Sequence, residues 1–215
     1  MRVEIVTAHD GSLNFSGIAE KSYGEYASRH GYGMITEKFE KSGNGAGHPS
    51  WQKLALLQRM IHGTEADWLM WVDTDSLVTN HTTAIDGIIN DYNGDDIFLV
   101  VSRDWSDDSP WSAGVMLIKV CATALAFLMV SQKYTRFMDS GCWDQSAMHE
   151  VWRTHERFTD GIRILPRRVL QSVPRECSSG VLAPWQRGDF IAHATGVPNE
   201  VKHRIMEKLV SQVTR

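Results

Sequence analysis

Asp73 and Asp75 stand one residue apart at the end of an apolar run, Trp68-Leu69-Met70-Trp71-Val72. The run is long enough for one buried strand, and side chains two apart on a strand share a side. Both carboxylates can then face one point. Like charges at a strand end repel unless something positive lies between them. The simplest such object is a hard divalent cation, which prefers oxygen ligands. Taken alone, an Asp-x-Asp also reads as a polar turn after a strand.

The elements around this stretch alternate. Arg2 to Ala8 reads as a buried strand ending at Thr7-Ala8-His9-Asp10-Gly11. From Ser16 to His30, Ile18, Tyr23, Tyr26 and Ala27 recur at helical spacing, and Gly31 closes the helix. A strand is expected over Tyr32 to Phe39, a glycine-bearing flexible loop over 42–47, and a helix capped by Ser50 that carries Trp51, Leu54, Leu57 and Ile61. After the acidic strand come a helix near 83–92, a strand at 97–102, a loop at 103–112, a strand at 113–120 and a helix near 123–134. Gly141-Cys142-Trp143-Asp144-Gln145 opens a further helix, with its acid in the first turn where the helix dipole favours it. Short strands follow at 163–165 and 169–173, then Phe190-Ile191-Ala192 leads to His193, and a polar helix starts at Asn199. Strands alternating with helices imply an α/β sandwich with a mostly parallel sheet, and no linker divides residues 1–215 into more than one domain.

Composition narrows the class. The chain has 215 residues, 42% hydrophobic and 22% charged, as an ordinary globular domain has. A net charge of −4 argues against nucleic acid or an anionic membrane as partner. Cys121, Cys142 and Cys177 are odd in number and widely spaced, which fits neither a disulfide framework nor a cysteine zinc site and suits a reducing compartment. The longest apolar run, Cys121 to Val130, is too short to span a bilayer.

Several stretches together resemble one family. They are Tyr26-Ala27…His30-Gly31-Tyr32, Trp51-x-Lys53-Leu54, Trp68…Trp71-Val72-Asp73-Thr74-Asp75, Arg103-Asp104-Trp105, Ser112-Ala113-Gly114-Val115, Trp143-Asp144-Gln145-Ser146 and Gly188-Asp189-Phe190…His193-Ala194-Thr195-Gly196. In this order the chain resembles a GT-A-fold, nucleotide-sugar-dependent glycosyltransferase, and is most similar to glycosyltransferase family 34, which holds galactosyl-, mannosyl- and xylosyltransferases. The resemblance implies a Rossmann-like α/β/α sandwich and transfer of a hexose or pentose from a UDP-sugar to a glycan acceptor with retention of configuration. It also implies a divalent metal, Mn²⁺ with Mg²⁺ as substitute, held by Asp73, Asp75 and His193, with Asp75 the direct ligand and Asp73 reaching metal or ribose. The family's membrane anchor and stem are missing from the chain, so a cytoplasmic enzyme, or a module of a longer one, is expected.

Further residues take expected roles beside these. Thr7, Ala8 and His9 end the first strand, at the edge where open α/β sheets bind ligands, and are expected to meet the nucleotide together with Thr74. Lys53 reaches a phosphate or lies in solvent; Lys202 is a second cation for the departing diphosphate. Tyr26 stacks near the donor or packs in the core. Asp144 and Gln145 are the candidates at the reacting carbon, as nucleophile or front-face stabiliser, with a helix cap as the plainer role for Asp144. Asp104, held by Arg103, and the segment Ser112, Ala113, Gly114 border the donor sugar, as Gly196 borders the nucleotide. Ser112 stands where the family usually has Asn. Trp105 and Trp111 offer flat faces to the acceptor, or simply pack. Two rivals remain: a phosphohydrolase, since Asp-Thr-Asp-Ser-Leu resembles an aspartyl-phosphate motif, and a catalytically inactive nucleotide-sugar-binding module.

Overall fold

The computed structural model describes residues 1–39, 48–139 and 141–215, so the glycine-bearing loop expected at 42–47 lies outside the described residues. In chain order the elements are β1 (Val3–His9), α1 (Ser16–His30), β2 (Gly33–Lys38), α2 (Pro49–Gly63), β3 (Trp68–Val72), β4 (Ser76–Val78) and α3 (Ile85–Tyr92). They continue with β5 (Leu99–Ser102), β6 (Ser112–Lys119), α4 (Ala122–Gln132), α5 (Trp143–Thr154), α6 (Glu156–Thr159), β7 (Ile162–Leu165), β8 (Ile191–His193) and α7 (Asn199–Val210).

A six-stranded sheet runs in the order β2-β1-β3-β6-β5-β7. It is mostly parallel; β6 alone of its strands runs antiparallel to its neighbours, β3 and β5. The two-residue period explains why β3 is apolar throughout. Trp68, Met70 and Val72 face a core shared with α1, α3 and α7, whereas Leu69 and Trp71 face one shared with α2, α4 and α5. Helices on both sheet faces make the α/β/α sandwich. Each fully buried Leu or Ile in these layers contributes about 1.5–3 kcal/mol.

Local signals account for most boundaries. Ala19, Tyr23, Tyr26 and Ala27 form the buried stripe of α1, and Gly31 ends it at φ 71°, donating its N–H to the Ala27 carbonyl. The start of α2 differs from expectation. Pro49 occupies the first turn and His48, not Ser50, is the cap, its Nδ1 accepting from Ser50 N at 3.2 Å. The strand expected at 169–173 is reduced to a single bridge, Ser172 with Ala192, because the chain turns at 167–169 after β7. In its place β8 pairs antiparallel with β4, in register Ser76↔His193 and Val78↔Ile191. That small ladder brings the late part of the chain back to the residue after Asp75.

Candidate active site

β1 and β3 are adjacent and parallel, and the sheet order reverses between them, since β2 lies to one side of β1 and β6 beyond β3. Their carboxyl ends therefore open a crevice of the kind that α/β sheets use for ligands. Asp73 and Asp75 emerge there in a turn between β3 and β4, not on an extended strand, and Ser76 N donates to the Asp73 carbonyl at 3.0 Å. They converge nonetheless, because the turn is tied down on every side. Tyr23 Oη donates to the carbonyls of Asp73 (2.9 Å) and Ser76 (2.7 Å), and Thr74 Oγ1 donates to the Ala8 carbonyl at 2.9 Å. Asp73 N donates to the Gly114 carbonyl and Ala194 N to the Asp75 carbonyl, each at 2.8 Å.

His193 completes this corner. Its Nε2 lies 3.1 Å from Asp75 Oδ1 and 4.0 Å from Asp73 Oδ2. One donor atom from each of the three residues falls within 4.8 Å of the other two, and two carboxylates with an imidazole suit Mn²⁺ or Mg²⁺. Gly114 makes room for the ring: a Cβ there would sit 2.1 Å from His193 Cε1. Burial alone would raise the Asp75 carboxyl, but His193 and then Lys202 outweigh it and hold the group well below the usual carboxylate range. Burial likewise pulls His193 down, and Asp75 more than restores it, leaving the imidazole above its ordinary value.

Lys53 joins the corner to a second acid. Its Nζ is 3.1 Å from Asp73 Oδ1, 2.8 Å from Asp144 Oδ2 and 3.1 Å from the Ala113 carbonyl, with the residue only 2% exposed. The solvated reading of Lys53 is thereby overturned. Burial would lower its pKa, yet Asp144 and Asp73 together raise it, so the cation stays charged. Asp144 is buried too; desolvation against the pull of Lys53 leaves its carboxyl pushed up to about 6. It does not cap α5, whose cap position is Cys142. Three carboxylates (Asp73, Asp75, Asp144) thus face two lysines, Lys53 and Lys202, whose Nζ reaches Asp75 Oδ2 at 2.7 Å. With His193 neutral, as a metal ligand must be, one negative charge is left for a bound cation to offset.

Gln145 spans the next group. Its Oε1 accepts from Ala113 N at 2.8 Å, and its Nε2 donates to Asp104 Oδ2 at 3.0 Å and Ser109 Oγ at 3.1 Å. Ser112 Oγ accepts from Gly114 N at 3.2 Å. A cleft of about 320 Å³ runs past Ala8, His9, Lys53, Asp73, Asp75 and Lys202. Thr74 lines it as well, 3.4 Å from Thr7 across their hydroxyls. His9 Nδ1 accepts from Gly11 N, which puts its proton on Nε2 toward Glu20 Oε1. Gly196, at φ 75°, forms the exposed turn leading into α7.

Three expectations fail. Tyr26 is wholly buried, its hydroxyl donating to the Thr83 carbonyl and its ring packed on His30, Tyr32, His81 and Phe190, so it lies in the core and not at the donor. Trp111 is likewise fully buried, edge-on to His149 at 4.4 Å, and has no face for an acceptor. Arg103 is exposed and does not hold Asp104. The Asp104 carboxylate is instead fixed by Trp105 N and Gln145, while Arg167 Nε donates to its carbonyl. Trp105 keeps partial exposure.

Other site residues went unread. His48 lines the cleft, and its ring stacks on Trp143 at 3.7 Å and 7°. Trp143 has φ 46°, a left-handed backbone rare for a bulky side chain, directly before Asp144. Trp71 Nε1 donates to Asp73 Oδ1 at 2.6 Å, and Gln171 Oε1 lies 3.1 Å from His193 Nδ1. Lys53, by contrast, was legible in the sequence as a lone cation on the apolar stripe of α2, four residues before Leu57 and beside Leu54.

Comparison with known proteins gives this site a setting. A model of the galactosyl transferase GMA12/MNN10 family matches residues 7–93, from β1 to α3 with Asp73 and Asp75 included. The crystal structure of a glycosyltransferase involved in the glycosylation of the major capsid of PBCV-1 superposes with a TM-score of 0.76 at 16% identity, covering 97% of this chain and 100% of that one. The chain has the GT-A fold. Galactosyltransferase LgtC, solved with donor and acceptor sugar analogs, gives a TM-score of 0.59 at 14% identity over 99% of this GT-A chain and 96% of its own. Glycosyltransferase GlyE of Streptococcus pneumoniae TIGR4 gives 0.56 at 11% identity, covering 98% of this chain and 63% of that one. No curated protein matches the GT-A chain in sequence. Among the described residues no helix is long and apolar enough to cross a membrane.

Proposed function

We propose that this chain is a metal-dependent glycosyltransferase, acting as one domain, that moves a hexose or similar sugar from a UDP-sugar to a glycan acceptor with retention of anomeric configuration. The observation that carries the proposal is the convergence of Asp73, Asp75 and His193 within 4.8 Å at the mouth of a lysine-flanked cleft. Asp73, Asp75 and His193 would hold Mn²⁺, or Mg²⁺ in its place. When bound, the metal supplies Lewis-acid stabilisation of the charge that develops on a leaving diphosphate. Lys202, already reaching across the cleft to Asp75, adds a second positive group on the diphosphate side. Ala8, His9 and Thr74 form the wall against which uracil and ribose would lie, with Thr7 buried behind Thr74, and Gly196 turns the chain past its end.

Asp144 serves the reacting carbon in this reading. Lys53 orients its carboxylate, and the group either attacks the anomeric carbon or stabilises the positive charge that builds there. Gln145, the second candidate at the reacting carbon, binds Ala113 N and the Asp104 carboxylate, and Asp104, Ser112 and Gly114 would border the donor sugar. Trp105 is the aromatic available to an acceptor. A reducing, cytoplasmic setting belongs to the same proposal and is supported by the free thiols of Cys121, Cys142 and Cys177.

The test is a panel of nucleotide sugars incubated with the protein with and without Mn²⁺, followed for sugar release or transfer. Consumption of a UDP-sugar only with metal, lost in Asp75→Ala, is the expected result. Release of phosphate from small phosphoesters, with no nucleotide sugar consumed, would replace the proposal with the phosphohydrolase reading.

A further inference from the structure

We infer that Gln171 is a positioning residue that keeps a proton on Nδ1 of His193, leaving Nε2 free to face a cation. The inference rests on the proposed metal site and goes beyond it to a residue outside the ligand set. Gln171 is 4% exposed and follows the turn after β7. Its neighbour carries it to the site: Ser172 N donates to the Ile191 carbonyl, and His193 N donates to the Ser172 carbonyl, each at 2.9 Å. With the backbone pinned on both sides of the bridge, the Gln171 amide oxygen comes to 3.1 Å from His193 Nδ1. With the amide oxygen turned to the ring, Gln171 accepts and cannot donate, and a bond at this distance places the proton on Nδ1.

The other nitrogen shows why this matters. Nε2 points at Asp75 Oδ1, 3.1 Å away. A metal-ligating imidazole must give up the proton on the ligating nitrogen and keep the one on the other, where a second group usually accepts it. Here the retained proton is buried, and Gln171 is the acceptor the structure provides for it. The ring is also held sideways, because the space beside Cε1 and Nδ1 is bounded by the bare backbone of Gly114. Without an acceptor at 171, the metal-bound form would bury an unsatisfied N–H, and the ring would favour donating Nε2–H to Asp75, the form that closes the site.

Calorimetric titration of Mn²⁺ into UDP-saturated protein separates this role from packing. Gln171→Met keeps the length and loses the acceptor; Gln171→Glu keeps the acceptor and adds a buried charge. We expect Gln171→Met to lose about 10–100-fold in Mn²⁺ affinity and Gln171→Glu to remain within a few-fold of the native protein. Gln171→Asn, too short to reach Nδ1, is expected to lose as much as Met and serves if Met prevents folding. A residue that only packs would give the opposite order, with Met tolerated and Glu not. Native affinity in Gln171→Met, or equal losses in Met and Glu, overturns the inference. Asp75→Ala is titrated alongside. If native protein and Asp75→Ala both fail to take up Mn²⁺, the metal reading itself is overturned and this inference with it. If native binds and Asp75→Ala does not, a failure at Gln171 is its own.

Discussion

Gly114→Ala tests the construction of the site with a single methyl group. The added Cβ would lie 2.1 Å from His193 Cε1, 2.5 Å from Nδ1 and 3.0 Å from Nε2. Carbon atoms in contact prefer a separation of about 3.5 Å or more, so the ring must move by roughly 1.4 Å. Metal–ligand distances tolerate about 0.2 Å. A displacement that large removes His193 from the ligand set, and the expected loss in Mn²⁺ affinity is at least tenfold, about 1.4 kcal/mol. Overpacking should also cost roughly 1–3 kcal/mol of stability, at about 2–4 °C in Tm per kcal/mol for a domain of this size. Gly161→Ala is the matched control, since its Cβ would meet the Phe98 ring at 2.5 Å, against the face of the sheet that packs on α4, and Gly161 does not line the cleft. Calorimetry with Mn²⁺ and UDP, beside thermal unfolding, should show both variants destabilised and only Gly114→Ala impaired in binding. In a His193→Ala background the stability cost of Gly114→Ala should vanish, because the two residues act on one contact. Native metal affinity in Gly114→Ala, or a cost unchanged in that background, would refute the reasoning.

Other consequences follow from particular contacts. Because Asp144 is raised to about 6 by burial against Lys53, turnover that needs its carboxylate should fall on the acid side of about pH 6, with the limb removed in Asp144→Asn; a limb unchanged in that variant assigns it elsewhere. The same raised value gives the sign for stability: the contribution of Asp144 is fully present below about pH 4 and is lost as pH rises through about 6, readable as a Tm difference between native and Asp144→Asn across that window. Trp111→Phe should lower Tm while leaving acceptor KM unchanged, since the indole is buried against His149; a raised KM at native stability would return it to the acceptor site. Tyr26→Phe should cost about 0.5–1.5 kcal/mol for the lost bond to the Thr83 carbonyl, with UDP affinity intact in calorimetry. Lys53→Met should cost about 3–5 kcal/mol, because Asp73 and Asp144 lose their shared buried cation.

The sheet and helices were legible because their signals are local. Trp68 to Val72 is apolar without a break, which is what a strand covered on both faces requires, and Gly31 ends α1 by the left-handed backbone that glycine adopts readily. The convergence of Asp73 and Asp75 was legible for a reason that differs from the real one: the period of an extended strand suggested it, whereas a turn held by Tyr23 and Thr74 produces it. What escaped depends on pairing between distant segments. No periodicity in Ser76–Val78 or Ile191–His193 says that these two stretches of three residues pair, yet that register places His193, which the resemblance alone had singled out, and Gln171 arrives through an isolated bridge one residue further on. Trp111 misled because loop aromatics are commonly exposed, while here the end of the loop turns the indole inward against α5.

A crystal grown with Mn²⁺ and UDP and measured at the manganese absorption edge would decide whether two acids and an imidazole clasp a cation beside the nucleotide. An anomalous peak within ligand distance of Asp75 and His193, contacting both phosphates of UDP, is the expected result. Nucleotide bound in the cleft with no peak at that corner, or with the metal elsewhere, would contradict it.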